Sequence, residues 1–353
     1  MAIGTSTTGF SALDPVAPAG GGDVIEEDGV RGDGATGGST PRVHSFPGWL
    51  GGFAKVLALV TYCVAVAGGA VTSTDSGLAD EHWPTFEGSV LPDFGAMAAD
   101  RGKLLEHGHR IIAGSAVLGA WLLAGLLFSL HEPRRWVRRI AIAAALVGPI
   151  PAVFGGLTVL YKLPPWISIV HVSVAMLFLS LIVTMAVLLG RGWEEAEREL
   201  ESVPLDGDDA KWLGAMAITV AASVYVQIIL GAVPRHAFVG VMPHILWAFL
   251  LFTLVALMTA RVFSRHVRLV RVLRPALLVF FLGVLQFALG IMAFVSRPVE
   301  IGRAATAFHQ VAASVHQGAG VLMLVGSVVL LLRAQRYLYF SKGGALTDSG
   351  GVS

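Results

Sequence analysis

The sequence contains few charged residues for its length. Of 353 residues, 14% are charged and 55% are hydrophobic, and the mean hydropathy is +0.71. A soluble domain carries roughly 25% charged residues because its surface faces water. The low charge therefore indicates a chain that is largely surrounded by lipid. The formal net charge of +1, without any basic stripe, excludes nucleic acid as a partner.

Cysteine is almost absent. The single cysteine, Cys63, has no partner in the chain, so an intramolecular disulfide is excluded. It lies inside the first apolar stretch, where a free cysteine usually behaves as a small hydrophobic residue. We expect it to be a core residue without chemistry.

Residues 1–46 have few aromatic residues and no long apolar run. They are rich in Gly, Ser, Thr, Asp and Pro, and Glu26, Glu27 and Asp28 form an acidic cluster. Such a segment cannot bury enough apolar surface to offset its ordering entropy. We expect a disordered cytoplasmic tail without a secretory signal, so the first helix must target the chain to the membrane.

Eight apolar segments follow, each near or above the roughly 20 residues that cross about 30 Å of hydrocarbon. They are predicted at residues 50–73, 105–130, 138–160, 166–190, 212–233, 243–263, 275–296 and 307–333. The sequence thus predicts an all-α integral membrane protein. A glutamate-rich linker at 191–211 separates a four-helix bundle at 47–190 from a second at 212–335, and residues 336–353 are predicted to form a C-terminal tail.

Arginine positions predict the orientation, because Lys and Arg are retained on the cytoplasmic side of a membrane. Arginines cluster in the turn after the second helix, in the turn after the sixth helix and beyond the eighth. Eight helices place all three clusters on one side. We therefore expect a multi-pass protein of the cell membrane with both termini in the cytoplasm, and the acidic loop after the first helix outside.

The odd-numbered helices end in related glycine-containing segments. These are AGGAVT at 67–72, GGLT at 155–158, QIILGA at 227–232 and QFALGI at 286–291. Each even-numbered helix begins at the same face with a histidine. The repeat predicts two four-helix bundles related by a pseudo-twofold axis. The glycines have a plain explanation, since small residues allow helices to approach closely in lipid.

The histidines of the even-numbered helices lie at matching depth in the outer third of the membrane. They are His109, His171, His244, and the two candidates His309 and His316 in the eighth helix. Ionisable groups at this depth are costly and often mark a site. Two imidazoles on two helices can bind haem iron from both faces, which predicts the pairs His109 with His171 and His244 with His316. Zinc is the competing metal, although structural zinc sites favour thiolates or closer clusters.

His309 and His316 are seven residues apart, so they share one helix face. Small residues follow His316 and leave room for a porphyrin, which favours His316 as the ligand. In the second helix, Glu106 and His109 also share a face, so the carboxylate can move protons or stabilise positive charge beside a haem edge. The alternative for Glu106 is an interfacial carboxylate stabilised by the helix dipole. Arg110 is either a propionate partner or an interface residue.

Several segments together resemble the bacterial haem A synthase family. They are GAVTSTDSGL at 69–78, Trp83-Pro84, EHGHR at 106–110, GGLTVLYKLPPW at 155–166 followed by His171, Gln227 to His236, and His316-Gln317. The resemblance covers about residues 47–335 and implies an enzyme that oxidises the C8 methyl of haem o to the formyl of haem A, for terminal oxidase assembly.

The resemblance also implies residue roles. His109, His171 and Arg110 would bind the substrate haem, Glu106 would assist the oxidation, and the iron of a haem b cofactor would be held by His244 and His316. Haem o synthase and an electron donor such as quinol are the implied partners beside membrane lipid, and the sequence leaves the oligomeric state open.

Two departures from the family pattern stand out. Many relatives carry a cysteine pair in the first outer loop, where this chain has Asp80 and Phe86, and His244 lacks the arginine expected after it. A non-enzymatic dihaem b cytochrome that takes electrons from quinol is the runner-up, and a haem-handling assembly protein with one weak ligand is a third class. Glu106 discriminates, because an electron carrier needs no carboxylate on the ligand face of one half.

Overall fold

The computed structural model describes residues 48–194, 207–237, 240–297 and 305–342. The predicted disordered tail, residues 195–206 of the predicted linker and the end of the chain from residue 343 lie outside the described residues. Everything described belongs to one compact unit, which comprises residues 45–353.

Eight helices among the described residues are long and apolar enough to cross a membrane, which confirms the predicted all-α membrane protein. The shortest two have 24 residues, and a helix of that length is about 36 Å long. The helices are α1 (Gly48–Ser73), α2 (Arg101–Ser129), α3 (Arg135–Leu160), α4 (Pro165–Leu188), α5 (Gly207–Ala237), α6 (Met242–Arg265), α7 (Val270–Val295) and α8 (Ala307–Ser341).

Several helix ends extend beyond the apolar segments. Helix α2 begins at Arg101, because the Asp100 side chain accepts hydrogen bonds of 2.7 and 3.1 Å from two backbone N–H groups of its first turn. Helix α5 begins at Gly207, inside the predicted linker, and α8 continues to Ser341, beyond the predicted start of the tail at residue 336. The first turns of α2 and α5 are polar, so hydropathy alone does not detect them.

Helix α3 consists of two helical segments, Arg135–Val147 and Pro149–Leu160, that meet at Gly148. Proline has no N–H to donate to the carbonyl four residues earlier. The carbonyl of Ala145, four residues before Pro149, instead accepts a 2.9 Å hydrogen bond from the indole of Trp121 on α2. A side chain of the neighbouring helix thus satisfies the carbonyl that the interruption in α3 leaves without a backbone donor.

The helices pack in a repeated pattern. Helix α1 contacts α2, α4 and α8, while α5 contacts α6, α8 and α4; α2 contacts α3 and α3 contacts α4, just as α6 contacts α7 and α7 contacts α8. Helices α4 and α8 also contact each other. Two apolar clusters result, one mostly of α1 to α4 and one mostly of α5 to α8 with part of α4.

Both apolar clusters lie toward the arginine-rich turns, whereas the histidines lie toward the opposite ends of the helices, near the loop after α1. Large buried side chains such as Leu127, Met258 and Tyr337 fix the helix spacing at the arginine side. The expectation that Cys63 is a core residue was wrong. Its side chain is exposed on the surface of α1, where lipid replaces the protein core as its apolar surrounding.

Candidate functional site

The first histidine pair lies between α2 and α4. The ring centroids of His109 and His171 are 6.5 Å apart, and the rings are inclined by 76°. The Nδ1 atom of His109 lies 3.1 Å from the carbonyl oxygen of Val64, and that of His171 lies 2.8 Å from the carbonyl oxygen of Pro151. A carbonyl only accepts, so each Nδ1 carries the hydrogen and each Nε2 keeps its lone pair for a metal.

The second pair lies between α6 and α8. The ring centroids of His244 and His316 are 6.2 Å apart at 84°, and Nδ1 of His244 donates to the Gln227 carbonyl at 3.2 Å. The buried Nδ1 of His316 has no hydrogen-bond partner among the described residues. The side-chain amides of Gln227 and Gln286 donate to the backbone carbonyls of His244 and His316 at 3.1 and 3.0 Å.

Both separations suit a single metal ion between two imidazoles. With roughly 2 Å from the metal to each nitrogen and about 1 Å from that nitrogen to the ring centre, the two centroids would be about 6 Å apart. No group of three or more His, Cys, Asp or Glu side chains suited to a metal occurs in the described part of the chain. Two axial imidazoles without further ligands fit haem iron, because the porphyrin supplies the other ligands, and do not fit a structural zinc site.

A glycine of the preceding odd-numbered helix lies against each of the four imidazoles. A Cβ atom placed on these glycines would approach the ring Cε1 closely: Gly68 with His109 at 3.0 Å, Gly155 with His171 at 3.2 Å, Gly231 with His244 at 2.9 Å, and Gly290 with His316 at 3.2 Å. The glycines of the sequence repeat therefore make room for the imidazoles, which is more specific than helix packing. The recurrence of one glycine per odd-numbered helix was the signal in the sequence.

His309 lies apart from the second pair. Its Nδ1 is 3.2 Å from the hydroxyl oxygen of Ser296, and its backbone N–H donates to the side chain of Thr306, which caps α8. His316 is the α8 histidine that lies opposite His244. The geometry therefore supports the preference for His316 over His309.

Glu106 is 3% exposed and takes part in a network that holds the loop after α1. Its carboxylate accepts a 2.9 Å hydrogen bond from the backbone N–H of Asp80 and another from the guanidinium of Arg110. Arg110 also donates to the loop carbonyls of Asp80 at 2.9 Å, His82 at 2.8 Å and Thr85 at 3.3 Å. The predicted contact of Arg110 with a haem propionate stays a prediction; its observed partners are Glu106 of α2 and carbonyls of the loop.

Asp80 is the loop residue at the centre of this network, and its side chain is 1% exposed. Its carboxylate accepts hydrogen bonds of 2.9 Å from the backbone N–H of His82 and of Glu87, 2.8 Å from His82 Nδ1 and 3.0 Å from His107 Nε2. Burial raises the pKa of Asp80, but these hydrogen bonds outweigh it and leave the pKa well below the usual range for aspartate.

Asp80 is therefore an ionised carboxylate at neutral pH. We call Asp80, Glu106, His107 and Arg110 together the loop anchor. The family resemblance implied substrate-site roles for Glu106 and Arg110, and the sequence analysis assigned no role to Asp80 or His107. The sequence did not predict the loop anchor, because no regular residue spacing relates the loop residue Asp80 to its partners on α2.

A polar contact zone connects the two halves beside the histidine pairs. Arg235 of α5 donates to the Gly69 carbonyl at 2.8 Å and to the Ser73 hydroxyl at 2.6 Å, both on α1, and Ser314 of α8 donates to Ser73 at 2.9 Å. Gly68 and Gly231, which contact His109 and His244, lie within about one helical turn of these bonds. Further bonds cross between the halves: Gln317 donates to the Ala65 carbonyl at 3.3 Å, Tyr62 to the Gly318 carbonyl at 3.3 Å, and Tyr225 to the Ser173 carbonyl at 2.8 Å.

Comparison with known proteins gives one family and several relatives. Residues 51–242, more than half of the chain, match the COX15-CtaA family model, described as cytochrome oxidase assembly protein. Proteins named heme A synthase from Listeria welshimeri and from Listeria monocytogenes serotype 4a are each 26% identical over 185 residues, 52% of this chain and 57% of the relative. One from Methylobacterium sp. is 29% identical over 142 residues, 38% of this chain and 39% of the relative. The chain thus spans about half the length, or less, of these relatives.

Proposed function

The chain belongs to the COX15-CtaA family of cytochrome oxidase assembly proteins, and from that premise we propose that it is a haem A synthase. In this proposal it oxidises the C8 methyl group of haem o to a formyl group by successive hydroxylations, within the cell membrane. The observation that carries the proposal is the presence of two facing imidazole pairs, with ring centroids 6.5 and 6.2 Å apart, at matching positions of the two halves.

The proposed architecture is two four-helix bundles, α1 to α4 and α5 to α8, related by a pseudo-twofold axis near the contact of α4 with α8. Each helix contact within the first bundle has a counterpart within the second, and the contact of α1 with α8 corresponds to that of α5 with α4. The four glycine–histidine contacts follow the same relation. These correspondences support the repeat that the sequence predicts.

In the proposal the two pairs differ in what they hold. His109 and His171 bind the iron of the substrate haem o through Nε2, while His244 and His316 bind a resident haem b. Haem b, when bound, supplies one-electron transfer. The backbone carbonyls of Val64, Pro151 and Gln227 orient the rings by accepting from Nδ1.

Glu106 distinguishes the first half from the second. Its buried carboxylate lies one helical turn from His109, and hydrogen bonds from Asp80 and Arg110 fix its direction. We propose that it holds or accepts a proton at the substrate edge and stabilises positive charge that develops during oxidation. Haem o synthase and a quinol electron donor are the proposed partners. We also propose that the protein lies in the cell membrane with both termini in the cytoplasm.

Co-expression with a source of haem o, followed by pigment extraction and mass measurement, tests the proposal. Haem A in the extract of cells that contain the protein, and none without it, is the expected result. If the purified protein carries only haem b and no haem A accumulates, the enzyme assignment fails and the dihaem cytochrome takes its place.

A further inference from the structure

One residue of the loop after α1, Asp80, contacts α2 through both its backbone and its side chain. Asp80 donates its backbone N–H to Glu106 at 2.9 Å and accepts from Nε2 of His107 at 3.0 Å through its carboxylate. Two consecutive residues of α2 thus bind the backbone and the side chain of one loop residue. Movement of the Asp80 side chain therefore moves the N–H group that orients Glu106.

From this geometry we infer that Asp80 and His107 are positioning residues for Glu106. Their hydrogen bond holds the loop so that the Glu106 carboxylate keeps its direction beside the substrate pair. The inference rests on the proposed function, since it assigns to Asp80 and His107 a part in the oxidation that they perform without touching the substrate.

The surroundings of His107 make this bond strong and exclusive. His107 is 1% exposed, and the ring of Phe86 stands edge-on to it with centroids 5.0 Å apart, so water does not compete for Nε2. A buried carboxylate that loses a donor keeps its desolvation cost without compensation. Arg110 forms an ion pair with the same carboxylate at 3.5 Å, a distance too long for a good hydrogen bond, so His107 is the α2 side chain that donates to Asp80 at hydrogen-bond distance.

The rest of the loop depends on the same carboxylate. The backbone N–H groups of His82 and Glu87 both donate to Asp80, and the non-glycine residues Asp75 and Glu87 have φ angles of 53° and 50°. Positive φ is unfavourable for these residues, so the loop conformation needs tertiary contacts to persist. An ionised Asp80 with four donors supplies them at the point nearest Glu106.

Three variants separate positioning from folding. Asp80→Asn removes the charge at constant shape, and His107→Phe removes the donor while keeping a ring. His107→Gln keeps an N–H group near the position of Nε2 and should restore function. Glu81→Gln is the matched control, because Glu81 is the neighbouring carboxylate, is 64% exposed, and pairs with Lys162 at 2.5 Å.

Each variant is purified after co-expression with a haem o source. Haem A, hydroxylated intermediate and haem o are quantified per mole of haem b, and hydrogen–deuterium exchange is followed in residues 74–100. The haem b of the second half reports the amount of folded protein. We expect Asp80→Asn and His107→Phe to lower the haem A yield per haem b at least 10-fold and to speed exchange in the loop. His107→Gln and Glu81→Gln should stay within about twofold of the wild type.

An unchanged product ratio in His107→Phe, with faster loop exchange, would show that the bond holds the loop without positioning Glu106 and would overturn the inference. Equal losses in His107→Gln and His107→Phe would overturn it as well, because the donor would not matter. If Asp80→Asn does not accumulate, the two His107 variants decide alone. If the wild type makes no haem A, the proposed function is wrong, and the positioning role is wrong with it. If hydrogen–deuterium exchange of the loop is unaltered in the variants, the proposed loop contact is wrong, whatever the products are.

Discussion

The imidazole of His244 on α6 faces that of His316 on α8 with ring centroids 6.2 Å apart, and Gly231 of α5 lies against the first ring. Three helices thus contribute to one site: a ligand, an opposing ligand and the space for the ring. The first half has the same arrangement in Gly68, His109 and His171. The following predictions test what each of these contributions does.

The choice of ligand in α8 is the first prediction. His316→Ala should abolish the low-spin spectrum of the second-half haem b in purified protein, because His244 would face no second imidazole. His309→Ala should leave that spectrum in place, since His309 contacts Ser296. Absorption spectra of both variants at equal protein concentration provide the measurement. Loss of the spectrum in His309→Ala alone would reverse the assignment.

The glycines behind the imidazoles give the second prediction. In Gly231→Ala the new Cβ would lie 2.9 Å from Cε1 of His244, so the ring must shift. We expect haem b occupancy to fall several-fold, because a displaced ring no longer faces His316. Gly125→Ala on α2 is the control, since a Cβ there meets no atom within 4 Å. The haem-to-protein ratio of each purified variant gives the haem b occupancy. Equal haem b occupancy in Gly231→Ala and Gly125→Ala would refute the role of Gly231.

The sequence predicted the membrane fold and the histidine pairs for a physical reason. Hydropathy and helix period are local signals, and ionisable residues at membrane depth stand out against an apolar background. The pairing of His109 with His171 followed from matching depth on neighbouring helices. The contacts between glycines and imidazoles were harder to predict from the sequence. Close helix packing already explains a glycine in a membrane helix, so its presence does not indicate one particular neighbouring side chain.

The loop anchor was out of reach of such reasoning. Asp80 reads as one more acidic residue of an outer loop, and its burial against His107 depends on a loop conformation that includes positive φ angles. The sequence analysis likewise assigned no role to Arg235, although it crosses to α1. The error on Cys63 has a simple cause, since an apolar stretch does not show which side of a membrane helix faces lipid and which faces the protein core.

The polar contact zone between the halves gives the third prediction. Arg235→Gln loses a charged donor to Gly69 and Ser73, and hydrogen bonds from charged groups contribute about 1.5 to 3 kcal/mol each. We expect a lower midpoint of thermal unfolding in detergent, followed through haem b absorbance. Arg297→Gln serves as control, because Arg297 is exposed and rests on the Phe294 ring at 4.0 Å. Equal midpoints for the two variants would count against the contact zone.

The orientation in the membrane is the fourth prediction. Reporter fusions in the loop after α1 and after residue 340 should show that the loop is outside and the C-terminus inside, because the arginine-rich turns are retained in the cytoplasm. A reporter active only outside the cytoplasm should therefore work in the loop and fail at the C-terminus. Activity at the C-terminus would invert the orientation and place the histidine pairs near the inner face.

The last prediction separates the chemistry of Glu106 from its role in the loop anchor. Glu106→Gln removes the charge, but the site offers two donors, the Asp80 N–H and the Arg110 guanidinium, while glutamine has one acceptor oxygen. The variant should therefore loosen the loop as well as lose the acid. His107→Phe loosens the loop and keeps the carboxylate, so it is the matched comparison.

If Glu106 serves the oxidation, Glu106→Gln should retain haem b in the second half and accumulate haem o or a hydroxylated intermediate. Its haem A yield should be clearly below that of His107→Phe at comparable loop exchange, because misdirection of a carboxylate is less severe than its removal. Pigment composition per mole of haem b measures the oxidation, and hydrogen–deuterium exchange of residues 74–100 measures the order of the loop. Near-normal haem A in Glu106→Gln would refute the catalytic role and leave Glu106 as an anchor of the loop alone.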